Sequence, residues 1–328
     1  MGGMKAFTGE IAVRSLKIGG AATLAIVLAG ELGLRYAPTA GIITILSIQG
    51  TKRETLKSAG NRGLAFVCAL ILAAGCFAAL GFTVWAFAVY LLLFALLCLM
   101  MGWAEAIAMD SVLISHFLAQ GAMDGAMLIN EAALFLIGAG IGVLVNLHLH
   151  ANEESYARLA AAVDAQFKKI LHCLAVSLST EGCAGHCGAC MEKLGADLQA
   201  ARQCALTNLN NVMFRRDTTP LDYIQMRQAQ SAVLADILEN VGRLRFFPSQ
   251  AARVSALFEK IEAGFHRDNT VEGLLSELKQ VLEEMKAQEL PKTRQEFEAR
   301  AILFHVLMQC ESLLNIKRAY MLRRGRAA

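Results

Sequence analysis

Residues 63–104, GLAFVCALILAAGCFAALGFTVWAFAVYLLLFALLCLMMGWA, run for 42 positions without one charged side chain. Roughly 20 apolar residues cross the hydrocarbon core of a bilayer, so the run is long enough for two crossings. Gly81-Phe82-Thr83 near its middle supplies a turn, which predicts a hairpin of spans over residues 62–81 and 83–103. A core helix of a soluble domain could not be this long.

Outward from the hairpin, residues 129–149 form another strong span and residues 18–36 a first one, with Glu31 as its interior charge. Two weaker segments, 37–51 and 106–122, are short, polar in places and bounded by glycine. Each is a short span or a re-entrant one. Counting both gives six, and the basic residues then separate by side. Lys5, Arg14, Lys17, Lys52, Arg53, Lys57 and Arg62 share one face, whereas the opposite loops hold only Arg35. The positive-inside rule makes the basic side cytoplasmic and puts both termini there. Lys5, Arg14 and Lys17 before an apolar run imitate a signal peptide, but the apolar segments that follow favour an uncleaved first span. In this topology the first three spans are inverted relative to the last three. The short polar span lies in the middle of each half, a pattern that marks midplane binding sites in transporters.

Charge divides the chain at residue 150. The first 150 residues carry 8 Lys/Arg and 7 Asp/Glu, and the following 178 carry 23 and 21. Residues 151–328 therefore read as a water-facing helical domain, with helices near 152–180, 188–216, 220–246, 249–265, 271–288 and 293–323. Thr219-Pro220, Pro248-Ser249 and the Thr293/Glu296 capping box mark helix starts. Leu303, Leu307, Cys310 and Leu314 make one apolar face of the last helix, and Arg294–Glu298 and Glu296–Arg300 are four-apart pairs on another. The fold class is all-α: a polytopic membrane protein of six transmembrane helices followed by a cytoplasmic helical bundle. Basic residues are interleaved with acidic ones at a net charge of +3, which excludes a nucleic-acid partner. Nine cysteines, three of them in hydrophobic runs, make a poor disulfide framework.

Ionisable groups inside a bilayer are expensive and become functional candidates. Asp110, His116 and Glu131 are the candidates for handling protons, although Asp110 also suits a helix cap and Glu131 an interfacial position. Gln49, Thr51 and Lys52 close a short span on the cytoplasmic side and, with Asn130, offer donors to a small organic anion. Lys52 and Arg53 read equally as positive-inside anchors. Gly19, Gly20, Gly138, Gly140 and Gly142 suit close helix packing. Cys183, His186, Cys187 and Cys190 bring three thiols and an imidazole into eight residues and suggest zinc or copper(I); a lineage-specific loop is the competing reading. No other cofactor is implied. Neither a phosphate-binding loop nor a catalytic triad is present, so an enzyme is not expected.

Several runs are similar to one family. AGIITILSIQGTKRETLKSAGNR (40–62), residues 114–156, NNVMFRRD (210–217), DYIQMRQAQ (222–230) and PKTRQEFEARAILFHVLMQCESLLNIK (291–317) resemble the aromatic acid exporters, relatives of the fusaric acid resistance proteins. The resemblance spans nearly the whole chain and is most specific in the last run. It implies efflux of small aromatic carboxylates across a bacterial inner membrane, driven by the proton gradient, by a homo-oligomer of two or more chains. A departure lies at the membrane exit, where Asn146-Leu147-His148-Leu149-His150 replaces the family's Asn-Leu-aromatic-Met-Pro pattern. The alternative is a non-transporting scaffold or sensor whose cytoplasmic helices are the working part.

Overall fold

The computed structural model describes residues 2–147, 152–179, 187–212 and 217–327. The chain forms twelve α-helices among them and divides into two units. One comprises Met1–Ala151 with Asn210–Arg215, the other Asn152–Leu209 with Arg216–Ala328.

The first unit holds α1 (Gly2–Glu31), α2 (Pro38–Ser47), α3 (Lys52–Leu80), α4 (Val84–Met101), α5 (Ala106–Gln120) and α6 (Gly125–Leu147). Among the described residues three helices, α3, α4 and α6, are long and apolar enough to cross a membrane, and α2 and α5 are shorter apolar helices. The turn of the hairpin lies where Gly81 adopts φ +69 and the Thr83 hydroxyl caps α4 by accepting from Ala86 N at 3.2 Å. Large apolar side chains on these helices point outward, Trp85 and Leu92 among them. Only a lipid environment makes such a surface inexpensive.

Three boundaries depart from the sequence expectation. Helix α1 stops at Glu31, leaving that carboxylate exposed at a helix end rather than inside a span. The chain then reverses through Gly33 (φ +67) and Tyr36 (φ +60). Helix α2 has 10 residues, a rise of roughly 15 Å and about half the hydrocarbon thickness. Its C-cap, Ile48, is already extended. Helix α3 starts at Lys52, ten residues before the expected span, because nearly three polar turns precede the apolar run.

Helices α2 and α6 pack tightly through glycine. A Cβ at Gly138 would lie 2.6 Å from Ile43 Cβ, and one at Gly142 2.6 Å from Ser47 Cβ. Thr44 fixes the same contact by donating to Gly138 O at 3.1 Å. Gly140, Gly19 and Gly20 face open space, so the close-packing expectation does not extend to them.

The second unit is a helical bundle of α7 (Glu153–Ser179), α8 (Cys187–Asn211), α9 (Thr219–Gly242), α10 (Gln250–Ala263), α11 (Glu272–Lys286) and α12 (Arg294–Ala327). Leu303, Leu307, Cys310 and Leu314 of α12 are buried together in its core. Thr293 Oγ1 accepts from Glu296 N at 3.2 Å, while the Glu296 carboxylate reaches Lys292 N rather than Thr293 N. Charges are buried here too. Arg227 pairs with Asp164 at 2.9 Å and lies over the Phe265 ring, 4.0 Å from its centroid. Lys317 donates to the carbonyls of His266 and Arg267, and burial pushes its ammonium down to about 8. Cys173 of α7 is disulfide-bonded, although the nine cysteines read as a poor disulfide framework.

Candidate functional site

Two polar clusters sit in the otherwise apolar first unit, one at each end of α2, and are named outer and inner after the sides that the positive-inside reading of the sequence expects for them. The outer cluster centres on Glu131, fully buried on the second turn of α6. His116 Nδ1, from the last turns of α5, lies 2.7 Å from Glu131 Oε2, and Thr39 Oγ1 of α2 lies 3.4 Å from His116 Nε2. Glu131 Oε1 accepts from Asn130 Nδ2 at 3.0 Å. Asn130 in turn clamps the α1–α2 turn, accepting from Arg35 N at 2.8 Å and donating to Arg35 O at 3.1 Å. That clamp holds Tyr36 in the left-handed region, where a non-glycine residue is costly, and its ring stacks on the His116 imidazole with centroids 4.0 Å apart. The bonding therefore runs Arg35–Asn130–Glu131–His116–Thr39. A buried imidazole between a carboxylate and a hydroxyl can pass a proton along that line.

The inner cluster centres on Arg62. Its guanidinium is almost wholly buried; Nη1 donates to Leu46 O at the end of α2 at 2.6 Å, and Nη2 contacts Glu105 Oε2 at 3.3 Å. The same Glu105 oxygen accepts from Ser58 Oγ at 2.7 Å and from Gln49 Nε2 at 3.2 Å. A cavity of about 390 Å³ opens beside them, walled by Lys57, Trp103 and Glu54 as well. Residues 39 and 47 bracket α2 between the two clusters, roughly 12 Å apart along its axis.

The candidates read from the sequence fall unevenly into these clusters. Asn130, His116 and Glu131 meet in the outer one and Gln49 in the inner one. Thr51 is buried as the N-cap of α3, its hydroxyl accepting from Glu54 N at 3.3 Å. Lys52 begins that helix, its backbone donating to Asn211 Oδ1 at 3.1 Å, and it does not line the cavity. Asp110 is not a cap: Glu105 holds the position before α5, and Asp110 lies one turn inside, with no exposure and neither carboxylate oxygen bonded among the described residues. Cys183, His186, His148 and His150 and the Cys187 side chain lie outside the described residues. Cys190 is half-buried against the core of the second unit, and no group of three metal-ligating side chains occurs among the described residues. The four-ligand set thus stands on sequence alone.

Sequence reasoning missed Arg62, Ser58 and Glu105. The signal was present: Arg62 and Glu105 are the charges that bound the uncharged run on either side. A run that folds as a hairpin brings its two ends back together.

Comparison with known proteins covers both units. The description "Aromatic acid exporter family member 1" matches residues 9–149, and "Putative aromatic acid exporter C-terminal domain" matches residues 153–318. The chain belongs to the aromatic acid exporter family. Among individual proteins, it is 27% identical over 308 residues to YqjA of Bacillus subtilis (strain 168), an uncharacterized protein, covering 94% of this chain and 95% of that one. A crystal structure of a Clostridium difficile 630 membrane protein is 24% identical, with a TM-score of 0.44, covering 51% of this chain and 98% of its own. Within the aromatic acid exporter match to residues 9–149 lie both polar clusters.

Proposed function

We propose that this chain is a secondary exporter of aromatic or related organic acids in a bacterial inner membrane, coupled to protons and working as at least a dimer. In this reading α1 to α6 make six passes with both termini cytoplasmic, α2 being a short one completed by the extended residues 48–51. The second unit is then a cytoplasmic domain. The organic anion enters at the inner cluster, where Gln49, Arg62 and Lys57 offer donors and positive charge, and Thr51 and Lys52 hold the start of α3 in place. At the outer cluster, Asn130 adds an amide and His116 and Glu131 exchange the proton, with Asp110 a further carrier between the clusters.

The observation that carries this reading is the buried His116–Glu131 pair, 2.7 Å apart and joined to α2 through Thr39. A carboxylate withdrawn from water costs several kcal/mol unless it is paired, and a chain that needed only an anchor would have no reason to keep one there. Protonation of the imidazole converts a carboxylate–imidazole hydrogen bond into an ion pair and changes what holds α5, α6 and α2 together. Inverted vesicles should accumulate radiolabelled benzoate when a proton gradient is imposed. Glu131→Gln should abolish the gradient-driven component, and His116→Gln should lower it at least tenfold. Accumulation by Glu131→Gln equal to the native chain would overturn the coupling role.

One feature favours a second reading, the scaffold or sensor. The second unit contains a cavity of about 740 Å³, larger than the 390 Å³ one beside Arg62, edged by Arg267, Tyr320 and Arg323. If no acid accumulates under any gradient, the cytoplasmic unit becomes the working part.

A further inference from the structure

Glu105 and Arg62 differ in a way that an ordinary ion pair does not. The Arg62 side chain is 5% exposed and tied to α2, whereas the Glu105 side chain is 61% exposed on the loop before α5. Three donors from three places in the chain, Gln49 Nε2, Ser58 Oγ and Arg62 Nη2, converge on one oxygen, Glu105 Oε2. Such convergence is how a protein binds a carboxylate: charge-assisted bonds to one oxygen, with the guanidinium fixed beforehand. The basin is built from the protein side, and an exposed side chain of the same chemistry fills it.

The guanidinium is also not fully satisfied by Glu105. Arg62 Nε is buried and has no acceptor among the described residues, so the guanidinium keeps one donor that Glu105 does not reach. Trp103, half-buried, walls the same 390 Å³ cavity and offers an indole face to a ring. Ligand pockets for small molecules begin at about 300 Å³, so a one-ring acid fits. Partly exposed ion pairs are weak, and releasing Glu105 to water costs little.

From this we infer that Gln49, Ser58 and Arg62 form the carboxylate-binding site for the exported aromatic acid, with Trp103 against its ring, and that Glu105 is a built-in competitor that occupies the site until the acid displaces it. The inference rests on the exporter reading for the identity of the ligand. Its physical content is a site whose apparent affinity is reduced by the fraction of time Glu105 fills it. Glu105 thereby keeps Arg62 paired while the site is empty, and it keeps weak or non-carboxylate ligands out.

Binding of benzoate to the purified full-length protein, followed by Trp103 fluorescence in a Trp85→Phe background, tests this without any gradient. Glu105→Ala should bind benzoate roughly fivefold more tightly, the gain expected from freeing a site held by a weak ion pair. Ser58→Ala should bind several-fold more weakly. Arg62→Gln should lose binding, and helix content by circular dichroism shows whether that variant remains folded. Glu54→Gln is the control, since it removes the same charge from the same cavity while leaving the three donors occupied, and it should change affinity less than twofold. Equal gains in Glu105→Ala and Glu54→Gln, no gain in Glu105→Ala, or no benzoate binding by any variant would overturn the inference. Fivefold tighter binding by Glu105→Ala in a chain that moves no acid across vesicles would instead leave the site standing and remove the exporter reading.

Discussion

The residues that matter most here are charges that the fold has withdrawn from water, and they behave differently in the two units. In the first unit His116 and Glu131 join α5 to α6, and Arg62 joins α3 to Leu46 of α2 and to Glu105 of the loop before α5. Single residues of this kind are legible because an ionisable group in an apolar stretch stands out. Their partners are less so, because the His116–Glu131 contact depends on how α5 returns to α6. In the second unit Lys317 is buried against backbone carbonyls, and burial pushes its pKa down to about 8, well below the unfolded value near 10.4. The unfolded chain therefore binds this proton more tightly than the folded chain. Stability contributed through this group should rise as pH goes from about 8 to 10. Tyr156, pushed up to about 12 by burial, works in the opposite sense, so the slope should reverse above about pH 10. Thermal melts of the second unit's helices in the full-length protein should show the rise, and Lys317→Met should flatten it between pH 8 and 10. A rise of the same size in that variant would assign it to another group.

At the level of elements, the α2–α6 contact is the one that backbone geometry makes least tolerant. Gly138 and Gly142 let Ile43 and Ser47 approach to a distance that no Cβ can share, and the Thr44 hydroxyl is shared between the Ala40 carbonyl at 2.8 Å and the Gly138 carbonyl at 3.1 Å. Gly138→Val should force the helices apart at a cost of about 1–3 kcal/mol, whereas Gly140→Val, facing open space, should be close to neutral. The difference should appear in the melting temperature of the detergent-solubilised protein, and equal losses in both variants would remove the notch as the cause. Displacing α2 moves Thr39 from His116 and Leu46 from Arg62 together, so Gly138→Val should also impair both clusters. How well the sequence disclosed such elements depended on how local their signals were. The helices of the second unit could be read to within a few residues, because proline and threonine at their starts act within one turn. The end of α1 could not, because Leu32, Leu34, Tyr36 and Ala37 are as apolar as the helix before them and hydropathy does not separate a helix from a tight reversal. Similarly, α3 began ten residues early, since its first turns are polar and a search for apolar length passes over them. The glycine triplet 138, 140, 142 read as one motif, yet a helix turns 100° per residue, so Gly140 points away from the face that Gly138 and Gly142 share.

For the whole molecule, the decisive asymmetry is the distribution of charge around the uncharged run at 63–104. Lys52, Arg53, Lys57 and Arg62 precede it and Glu105 follows it, so both ends of the hairpin lie on the face that carries the basic residues. The positive-inside rule assigns that face to the cytoplasm, and the Gly81–Thr83 turn to the far side. In the same frame Arg35, Asn130, His116 and Glu131 gather toward the outer face, and Gln49, Ser58 and Arg62 toward the inner one. In the proposed function the anion would enter and the proton exchange at opposite ends of α2, the arrangement an exporter needs if a proton arriving from outside is to change the state of a site that loads from inside. Orientation is the point on which this scheme stands. Alkaline phosphatase inserted within the intact chain after Phe82 or after Met123 should be active, and after Gly50 or Trp103 inactive. Activity after Trp103 would invert the hairpin, put the Arg62–Glu105 basin on the wrong side for loading, and end the proposed direction of transport. Activity after both Gly50 and Trp103, with none after Phe82 or Met123, would show that the ten-residue α2 does not complete a crossing. The anion would then have to load at a re-entrant segment rather than a span.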